Sequence, residues 1–336
     1  MQPLTPNPAP AVDDDAIARA VARLRAGRLI ALPTETVYGL GADARNADAV
    51  RAVFAAKGRP ADHPVIVHIA NAAQVDDWAR DVPAYARALA ARFWPGPLTL
   101  VLPRAPGVPD VVTGGHPTVG LRVPAHLLAR RVLEAFGGGV AAPSANRYGQ
   151  VSPTRAADVR DAFGDADIEV LDGGDCAVGL ESTIVDCTGP RPRVLRPGAV
   201  TAAQVRAAAA MPLADAARAA TPAPGRKPSH YAPRARVVLA TRDSAAADVR
   251  THLNAGRRTG LLATTRPRAL PAAAAFIALP RDAAAQGRTL YRLLRQADVL
   301  QLDVLVAVPP ARRGIGTAIH DRLRRAAGLG DGVTDR

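Results

Sequence analysis

The chain has 336 residues, enough for two domains, and its hydrophobic content of 48% can supply a core although only 4% of the residues are aromatic. A formal charge of +13 favours anionic partners such as nucleotides or nucleic acid. Two cysteines without a CxxC motif or a Cys/His cluster argue against a disulfide framework and a structural zinc site. The acidic, proline-rich N-terminus is unlike a secretory signal, and no apolar run reaches the ~18 residues of a spanning helix, so we expect a cytoplasmic protein without membrane contact.

The first 200 residues show alternating helix and strand patterns. Residues 1–12 are predicted to be a disordered lead, and Asp13 to Asp15 supply N-cap candidates for the first helix. Hydrophobic periodicity predicts helices over 16–26, 47–56, 72–79, 83–93, 127–136 and 156–163, the last of them capped from the segment 152–154. Short apolar runs predict strands over 29–32, 65–69, 98–102, 118–123, 169–171, 183–186 and 194–195, with another just before Ala142. This alternation indicates an α/β sheet domain over residues 13–200.

Residues 201–236 differ in character and are predicted to be a linker. A helix near 202–210 is followed by a proline-rich, extended segment that carries too many functional side chains for a passive spacer. A second alternating pattern then begins, with strands predicted over 237–240, 259–263, 276–279 and 304–308 and helices over 245–253, 282–297 and 317–327. It indicates a smaller Rossmann-like domain over 237–336, without a GxGxxG motif or an evident site of its own.

The segment 32–41, LPTETVYGLG, places hydroxyl groups and a carboxylate directly after a buried strand. Polar groups at the end of a strand are typical of the sites of α/β proteins. A turn whose hydroxyls bond only their own backbone would give the same pattern, and the segment alone does not decide between the two.

Further polar residues follow the other predicted strands and helices. Together with Thr34 they are Lys57, Arg59, His68, Arg122, Ser144, Asn146, Ser182 and Arg196. Cations and hydroxyls without a strong nucleophile suit a site that positions a polyanion and stabilises charge at phosphorus. Arg122 lies in an apolar strand and needs either a ligand anion or an internal carboxylate partner, and both readings stay open. The motifs GxxxxGK[ST], GxSxG and HExxH are absent.

Arginine supplies nearly all of the basic residues. Of 43 lysines and arginines only Lys57 and Lys227 are lysine. Since a compact ammonium and a planar guanidinium recognise different geometries, these two positions are candidates for a specific role.

Nine motifs in order resemble those of the threonylcarbamoyl-AMP synthase family, in its long form with a YrdC-like domain, a linker and a C-terminal domain. They are LPTETVYGLG (32–41), KGRP (57–60), PVIVHI (64–69), WPGPLT (94–99), TVGLRVP (118–124), APSAN (142–146), GLESTI (179–184), LRPG (195–198) and PGRKPSHYAP (224–233). Beyond the linker the similarity is weaker, and the segment 313–319, RGIGTAI, stands out there. The resemblance implies a YrdC-like twisted mixed sheet followed by a smaller Rossmann-like α/β domain.

The resemblance also implies a reaction. The enzyme would join L-threonine, bicarbonate and ATP into threonylcarbamoyl-AMP and pyrophosphate, the first step of threonylcarbamoyladenosine formation in tRNAs that read codons starting with A. Because carbamates are short-lived in water, a closed, desolvated site would be needed. ATP would arrive with Mg²⁺, no protein-held metal is expected, and the sequence leaves open direct contact with tRNA or with a downstream transferase complex.

Residue roles follow from the matched motifs. Lys57 and Arg59 would be catalytic and would neutralise the triphosphate. The ATP-binding residues would be Lys57, Arg59, Thr118, Asn146, Ser152, Arg196 and His230, the last brought over the site by the linker acting as a lid. The threonine-binding residues would be Thr34, His68, Arg122, Ser144 and Ser182, with Arg122 gripping the carboxylate.

Departures from the family pattern fall in the linker. Arg226 stands where methionine is frequent, and Pro228 and Ser229 replace an aromatic and a basic residue before the His-Tyr-Ala-Pro sequence. Two other classes remain alternatives: an RNA-binding module without ATP turnover, and a carbamoyl-transfer domain of the hydrogenase-maturation kind. The scarcity of aromatic residues argues against the first and the cysteine count against the second.

Overall fold

The computed structural model describes residues 13–215, 221 and 230–329. They form two compact units, one of residues 13–148, 153–177, 181–215 and 221 and the other of residues 149–152, 178–180 and 230–329. The predicted lead, 1–12, and the linker positions 226–229 lie outside the described residues. Among the helices described, none is long and apolar enough to cross a membrane.

The first unit combines a large mixed sheet with helices on both of its faces. Its strands are β1 (Leu29–Leu32), β2 (Gly39–Asp43), β3 (Ile66–His68), β4 (Leu98–Pro103), β5 (Thr118–Arg122), β6 (Val140–Ala141), β7 (Ile168–Val170), β8 (Thr183–Asp186) and β9 (Arg193–Arg196). Its helices are α1 (Asp14–Arg25), α2 (Ala47–Lys57), α3 (Ala84–Phe93), α4 (Asp110–Thr113), α5 (Leu127–Phe136), α6 (Ala156–Phe163) and α7 (Ala202–Ala209), with a 3₁₀ helix at Ala72–Asp77.

The order of the nine strands brings together residues that are far apart in sequence. It is β7-β1-β2-β6-β3-β5-β4-β8-β9. β3 and β5 are parallel and pair His68 with Arg122, whereas β4 runs antiparallel to β5 and parallel to β8. Two side chains that we predicted to bind threonine therefore stand side by side at the carboxyl ends of adjacent strands.

β1 is buried on both faces of the sheet. Because successive side chains of a strand point to opposite faces, Ile30 and Leu32 pack with α1 and α5, and Leu29 and Ala31 pack with α2 and α6. Burying a Leu or Ile side chain contributes about 1.5–3 kcal/mol, so this short strand anchors the polar segment that follows it.

Several local predictions are confirmed with shifts of one or two residues at the ends. Asp13 caps α1 by accepting a hydrogen bond from the Asp15 N–H group. Asn46 caps α2 in the same way, and the helix ends where Gly58 adopts the left-handed conformation, with φ of 63°. This ending turns the chain directly after Lys57.

Other local predictions are wrong. The strand β2 was not predicted, because its glycines give a weak strand signal. The helix expected over 72–79 is a 3₁₀ helix, and the short helix α4 was not predicted. The segment 152–154 does not cap α6: Arg155 occupies the N-cap position without a side-chain cap bond, and Asp158 inside the helix accepts the Thr154 N–H group instead.

The second unit is built on a four-stranded parallel sheet. Its strands are β10 (Arg236–Leu239), β11 (Thr259–Ala263), β12 (Ala275–Ala278) and β13 (Val304–Ala307), in the order β10-β13-β11-β12. Its helices are α8 (Ala245–Asn254), α9 (Ala283–Val299) and α10 (Gly316–Ala326). A large mixed sheet followed by a smaller parallel one is the fold class that the sequence predicted. The helix α7, which we placed in the linker, contributes Val205 and Ala209 to the core of the first unit.

Candidate active site

The loop between β1 and β2 is stabilised by its own hydroxyl groups. The Thr34 hydroxyl donates to the Val37 carbonyl at 2.6 Å and accepts the Val37 N–H group at 3.2 Å. The Tyr38 hydroxyl donates to the Gly174 carbonyl at 2.8 Å, and burial raises the pKa of Tyr38. Local backbone bonding, one of the two readings that the sequence allowed for these hydroxyls, is therefore present, and it gives the loop a fixed shape.

Arg122 is held by three contacts at the end of β5. Its Nη2 lies 2.6 Å from Glu35 Oε1, its Nη1 donates to the Thr36 hydroxyl at 2.8 Å, and its Nε donates to the Gly96 carbonyl at 3.2 Å. The other carboxylate oxygen of Glu35 accepts the Ala125 N–H group. The internal carboxylate partner that an arginine in an apolar strand needs is thus Glu35.

His68, the register partner of Arg122, is only 3% exposed. Burial and the neighbouring positive charge of Arg122 lower the pKa of His68 from 6.5 to about 3, and hydrogen bonds with the backbone of Ile66 and Val140 act in the opposite direction. The imidazole is therefore neutral at pH 7, and each of its nitrogens can either donate or accept a hydrogen bond, but not both.

Lys57 is buried in a cage of backbone oxygens. Its Nζ donates to the carbonyls of Ser144 at 2.5 Å and Asn146 at 2.6 Å. The Tyr148 N–H group donates back to the Lys57 carbonyl at 2.8 Å, which closes the strand-end loop after β6 against the end of α2. Burial, with the nearby charge of Arg59, lowers the pKa of Lys57 well below its ordinary value. An ammonium with three rotatable donors suits such a cage better than a planar guanidinium would.

Arg59 and Thr118 lie beside the amino ends of β3 and β5. The Arg59 Nη2 donates to the Pro64 carbonyl at 2.8 Å, and its guanidinium lies 5.8 Å from the centre of the Phe54 ring. Thr118 is half-buried at the first position of β5, in register with Pro103 of β4. Asn146 is buried, and its side-chain amide donates to the Arg147 carbonyl.

Ser182 and Arg196 form a further polar group beside the start of β8. The Ser182 hydroxyl shares a hydrogen bond of 2.7 Å with the Thr99 hydroxyl. Arg196 Nη2 donates to the Ser182 carbonyl at 2.9 Å and to its hydroxyl at 3.2 Å, and all three side chains are buried. A buried cation next to two hydroxyls makes an environment that favours an anion.

The structure therefore places ten of the twelve predicted site residues in the first unit, and eight of these ten fall into three groups. In the first group Thr34 bonds Thr36, Thr36 bonds Arg122, and His68 is the register partner of Arg122. In the second group Lys57 donates to the carbonyls of Ser144 and Asn146. In the third group Arg196 donates to the Ser182 carbonyl. Arg59 and Thr118 belong to the same unit.

Ser152 and His230 are described with the second unit, where both are buried. The His230 N–H group donates to the Arg325 carbonyl at 3.3 Å, and its ring makes an edge contact with Tyr231. The assignment of these two residues to the nucleotide stays a prediction.

Comparison with known proteins identifies the family. The family model described as "Telomere recombination", covering Sua5, YciO and YrdC, matches residues 22–198, and the model described as "Threonylcarbamoyl-AMP synthase, C-terminal domain" matches residues 200–328. The threonylcarbamoyl-AMP synthase of Pyrococcus abyssi is 39% identical over 320 residues, which cover 91% of this chain and 92% of the relative. The chain belongs to the threonylcarbamoyl-AMP synthase family.

Two further comparisons extend over nearly the whole length of this family member. The threonylcarbamoyl-AMP synthase of Bacillus subtilis is 38% identical over 325 residues, covering 94% of each chain. The crystal structure of Pyrococcus abyssi Sua5 complexed with L-threonine superposes with a TM-score of 0.87 at 36% identity, covering 97% of this chain and 98% of that one. Both units of the fold thus have counterparts in one solved structure.

Three further residues contact the candidate site residues, although the sequence analysis assigned no role to them. Glu35 and Thr36 hold Arg122, and Thr99 bonds Ser182. Glu35 and Thr36 lie inside the LPTETVYGLG motif, and Thr99 is the last residue of WPGPLT. Their position in these motifs is the sequence signal that could have identified them as site residues. In the described part of the chain, no group of three or more His, Cys, Asp or Glu side chains could hold a metal ion.

Proposed function

We propose that the chain is a threonylcarbamoyl-AMP synthase that condenses L-threonine, bicarbonate and ATP. The observation that carries the proposal is the similarity to two threonylcarbamoyl-AMP synthases over more than nine-tenths of the chain, through both domains. The first unit supplies a site of the right chemistry, with buried cations and hydroxyls around the ends of its central strands.

The proposed chemistry has two bond-forming steps. The neutral amine of threonine adds to CO2, which bicarbonate yields with a proton by loss of water, and release of the amine proton leaves a carbamate. A carbamate oxygen then attacks the α-phosphorus of ATP, the bond to the β-phosphate breaks, and pyrophosphate leaves. The protein has to hold the two substrates in line, exclude water from the carbamate and stabilise the charge that moves to the pyrophosphate.

Arg122 is the proposed carboxylate-binding residue for threonine. Its hydrogen bonds to Thr36 and to the Gly96 carbonyl engage two of the five N–H groups of the guanidinium, and its ion pair with Glu35 lies at Nη2, which leaves donors for a ligand carboxylate. The same contacts fix the plane of the guanidinium before the substrate arrives, so little conformational entropy is lost on binding.

His68 is proposed to contact threonine as a hydrogen-bonding group. A pKa of about 3 makes its imidazole a weak base at pH 7, so it is poorly suited to remove the ammonium proton. Thr34, Ser144 and Ser182 complete the proposed threonine site, and of these the Ser182 hydroxyl is oriented by Thr99 and Arg196.

Lys57 and Arg59 are the proposed catalytic residues and contact the triphosphate. The low pKa of the buried Lys57 means that its charge is costly in the free protein, and bound phosphates would favour the charged form. Thr118, Asn146, Ser152, Arg196 and His230 are proposed to hold the rest of the nucleotide, the last of them as part of a lid formed by the linker beyond α7. We also propose that Mg²⁺ accompanies the ATP phosphates, since these are the hard oxygen ligands that the ion prefers.

In the cell the product would pass to the enzyme system that transfers the threonylcarbamoyl group to tRNA. We propose a cytoplasmic location, and we keep the domain limits 13–200, 201–236 and 237–336 as predictions.

The test is pyrophosphate release from ATP by the purified chain, with threonine and bicarbonate omitted one at a time and the adenylate identified by mass spectrometry. We expect release that requires all three substrates and a product with the mass of threonylcarbamoyl-AMP. A folded protein that releases no pyrophosphate under any combination, and binds RNA with steep salt dependence, would overturn the proposal in favour of an RNA-binding module.

A further inference from the structure

The second unit contains a groove along its edge strand β10. The walls of the groove come from β10, the loop after it, the start of α8, the loop after β13, and α10. None of the residues proposed above to bind threonine or ATP lines it. Its location in the sheet and its charges indicate a second ligand site.

The groove lies at a reversal of strand order in the parallel sheet. In the order β10-β13-β11-β12, the connection from β10 to β11 runs across the sheet in one direction and the connection from β12 to β13 runs back in the other. Since crossover connections between parallel strands are right-handed, α8 and α9 must lie on opposite faces. The helix α10, which follows β13, packs against α9 and β10.

The packing of β13 agrees with this arrangement. Val304 and Val306 share a core cluster with Ala245 and Val249 of α8. Leu305 alternates with them along the strand and faces the opposite side of the sheet, where α9 and α10 lie. The loop after β10 therefore leaves toward one face and the loop after β13 toward the other, which opens a crevice between the carboxyl ends of the two strands. Open α/β sheets bind their ligands in such crevices.

The crevice carries positive charge on both of its loops. Arg242 lies in the loop after β10 and Arg312 in the loop after β13, and Arg312 Nε donates to His320 Nε2 of α10 at 3.2 Å. Asp248, a carboxylate on the same wall, accepts the Ser244 hydroxyl at 2.8 Å. Arginines on the two loops that line the crevice favour an anion there.

The sequence RGIGTAI, which stands out beyond the linker, spans the end of the loop after β13 and the first turn of α10. Gly316 has no room for a side chain, because a Cβ atom there would lie 2.3 Å from the Ala311 carbonyl oxygen. Gly314 has a φ of 55°, a conformation that glycine adopts without strain. The two glycines allow the close turn that leads from Arg312 into α10.

We propose that this groove binds a small phosphate-bearing molecule, with its phosphate between Arg242 and Arg312 and its less polar part against Val238 and Val308. The side walls supply both components that a nucleoside phosphate needs, cations for the phosphate and an apolar surface for the base.

The test measures binding of AMP and of inorganic pyrophosphate to the full chain by isothermal titration calorimetry. The silenced chain carries Lys57→Ala with Arg59→Ala, which removes the proposed contacts with the triphosphate. Since other residues of that site could still hold AMP, only the part of the binding that depends on Arg242 and Arg312 reports on the groove. We expect binding to persist in that protein and to weaken at least tenfold when Arg242→Ala and Arg312→Ala are added. If AMP binds more tightly than pyrophosphate, the ligand of the groove is a nucleotide. If pyrophosphate binds more tightly, the ligand is a free polyphosphate.

The matched control replaces Arg257 and Arg281 by alanine in the same silenced chain. Both are exposed residues of the second unit outside the groove, and the change in net charge is identical. We expect affinity within twofold of the silenced chain for this control, and partial recovery with Arg242→Lys and Arg312→Lys. Three outcomes would overturn the proposal. They are an equal loss of affinity in the control, no binding of AMP or pyrophosphate to the silenced chain, and binding of an RNA oligonucleotide that depends on Arg242 while neither AMP nor pyrophosphate binds.

Discussion

Glu35 and Arg122 form an ion pair of 2.6 Å with both side chains buried, and it ties the loop after β1 to the end of β5. Removing one partner of a buried ion pair leaves an uncompensated charge in the protein interior, which is strongly destabilising. In the intact pair, the mutual attraction and the additional hydrogen bonds offset the cost of burying the two charges. The pair therefore maintains the shape of the proposed threonine site before any substrate is present.

Glu35→Gln is expected to destabilise the first unit by about 3–5 kcal/mol, because Arg122 would lose its carboxylate partner in a buried setting. The measurement is denaturant unfolding followed by tryptophan fluorescence, since both tryptophans, Trp78 and Trp94, lie in the first unit. Glu134→Gln is the control: Glu134 pairs with Arg130 at an exposed position, and its loss should change the free energy of unfolding by less than about 1 kcal/mol. Equal effects of the two changes would contradict the role given to the pair.

Arg122→Lys is expected to raise the KM for threonine about 10–100-fold, since an ammonium cannot make two parallel hydrogen bonds to a carboxylate. The KM for ATP should change much less. Steady-state pyrophosphate release with each substrate varied in turn separates the two effects. A rise confined to the KM for ATP would remove Arg122 from the threonine site.

Lys57→Ala is expected to abolish product formation while the first unit still folds, because the charge that we propose to stabilise the leaving pyrophosphate would be absent. Lys57→Arg should not restore activity, since a planar guanidinium cannot fit between the carbonyls of Ser144 and Asn146. Arg51→Ala, an exposed change on the same helix, is the control and should keep wild-type turnover. Wild-type rates in Lys57→Ala would remove the catalytic assignment.

His68→Gln is expected to flatten the dependence of stability on acid pH. The pKa of His68 is lowered from 6.5 to about 3 in the folded protein, so between these values the unfolded chain binds the additional proton and stability is lost as the pH falls. The largest slope from one such group is about 1.4 kcal/mol per pH unit.

The measurement for this prediction is the free energy of unfolding at several pH values between these two pKa values, from the tryptophan signal. The wild type should lose more stability than His68→Gln as the pH falls. His116→Gln, at a less buried histidine of the same unit, should behave as the wild type. Parallel curves for the wild type and His68→Gln would show that His68 is not the titrating group.

Much of the secondary structure could be predicted from local patterns. α5, α6, β1, β8 and β11 have the predicted ends, because alternating or helical apolar spacing and clear breakers surround each of them. β2 was missed since its glycines carry no strand signal, and tertiary pairing with β1 and β6 forms it nonetheless. The segment 152–154 looked like a cap because it carries two hydroxyl groups, but the N-cap position of α6 falls one residue later, on Arg155, whose side chain makes no cap bond.

The sequence by itself determined the α/β class with its two domains, the polar residues at strand ends and the family, because periodicity and motifs are properties of neighbouring residues. Only the tertiary structure decided that His68 stands beside Arg122, that Glu35 neutralises Arg122, that backbone carbonyls enclose Lys57, and that two loops of the second sheet diverge around a basic groove. These relationships depend on strand order and on burial, which bring distant residues together and change their charge states, and neither is a property of any local segment.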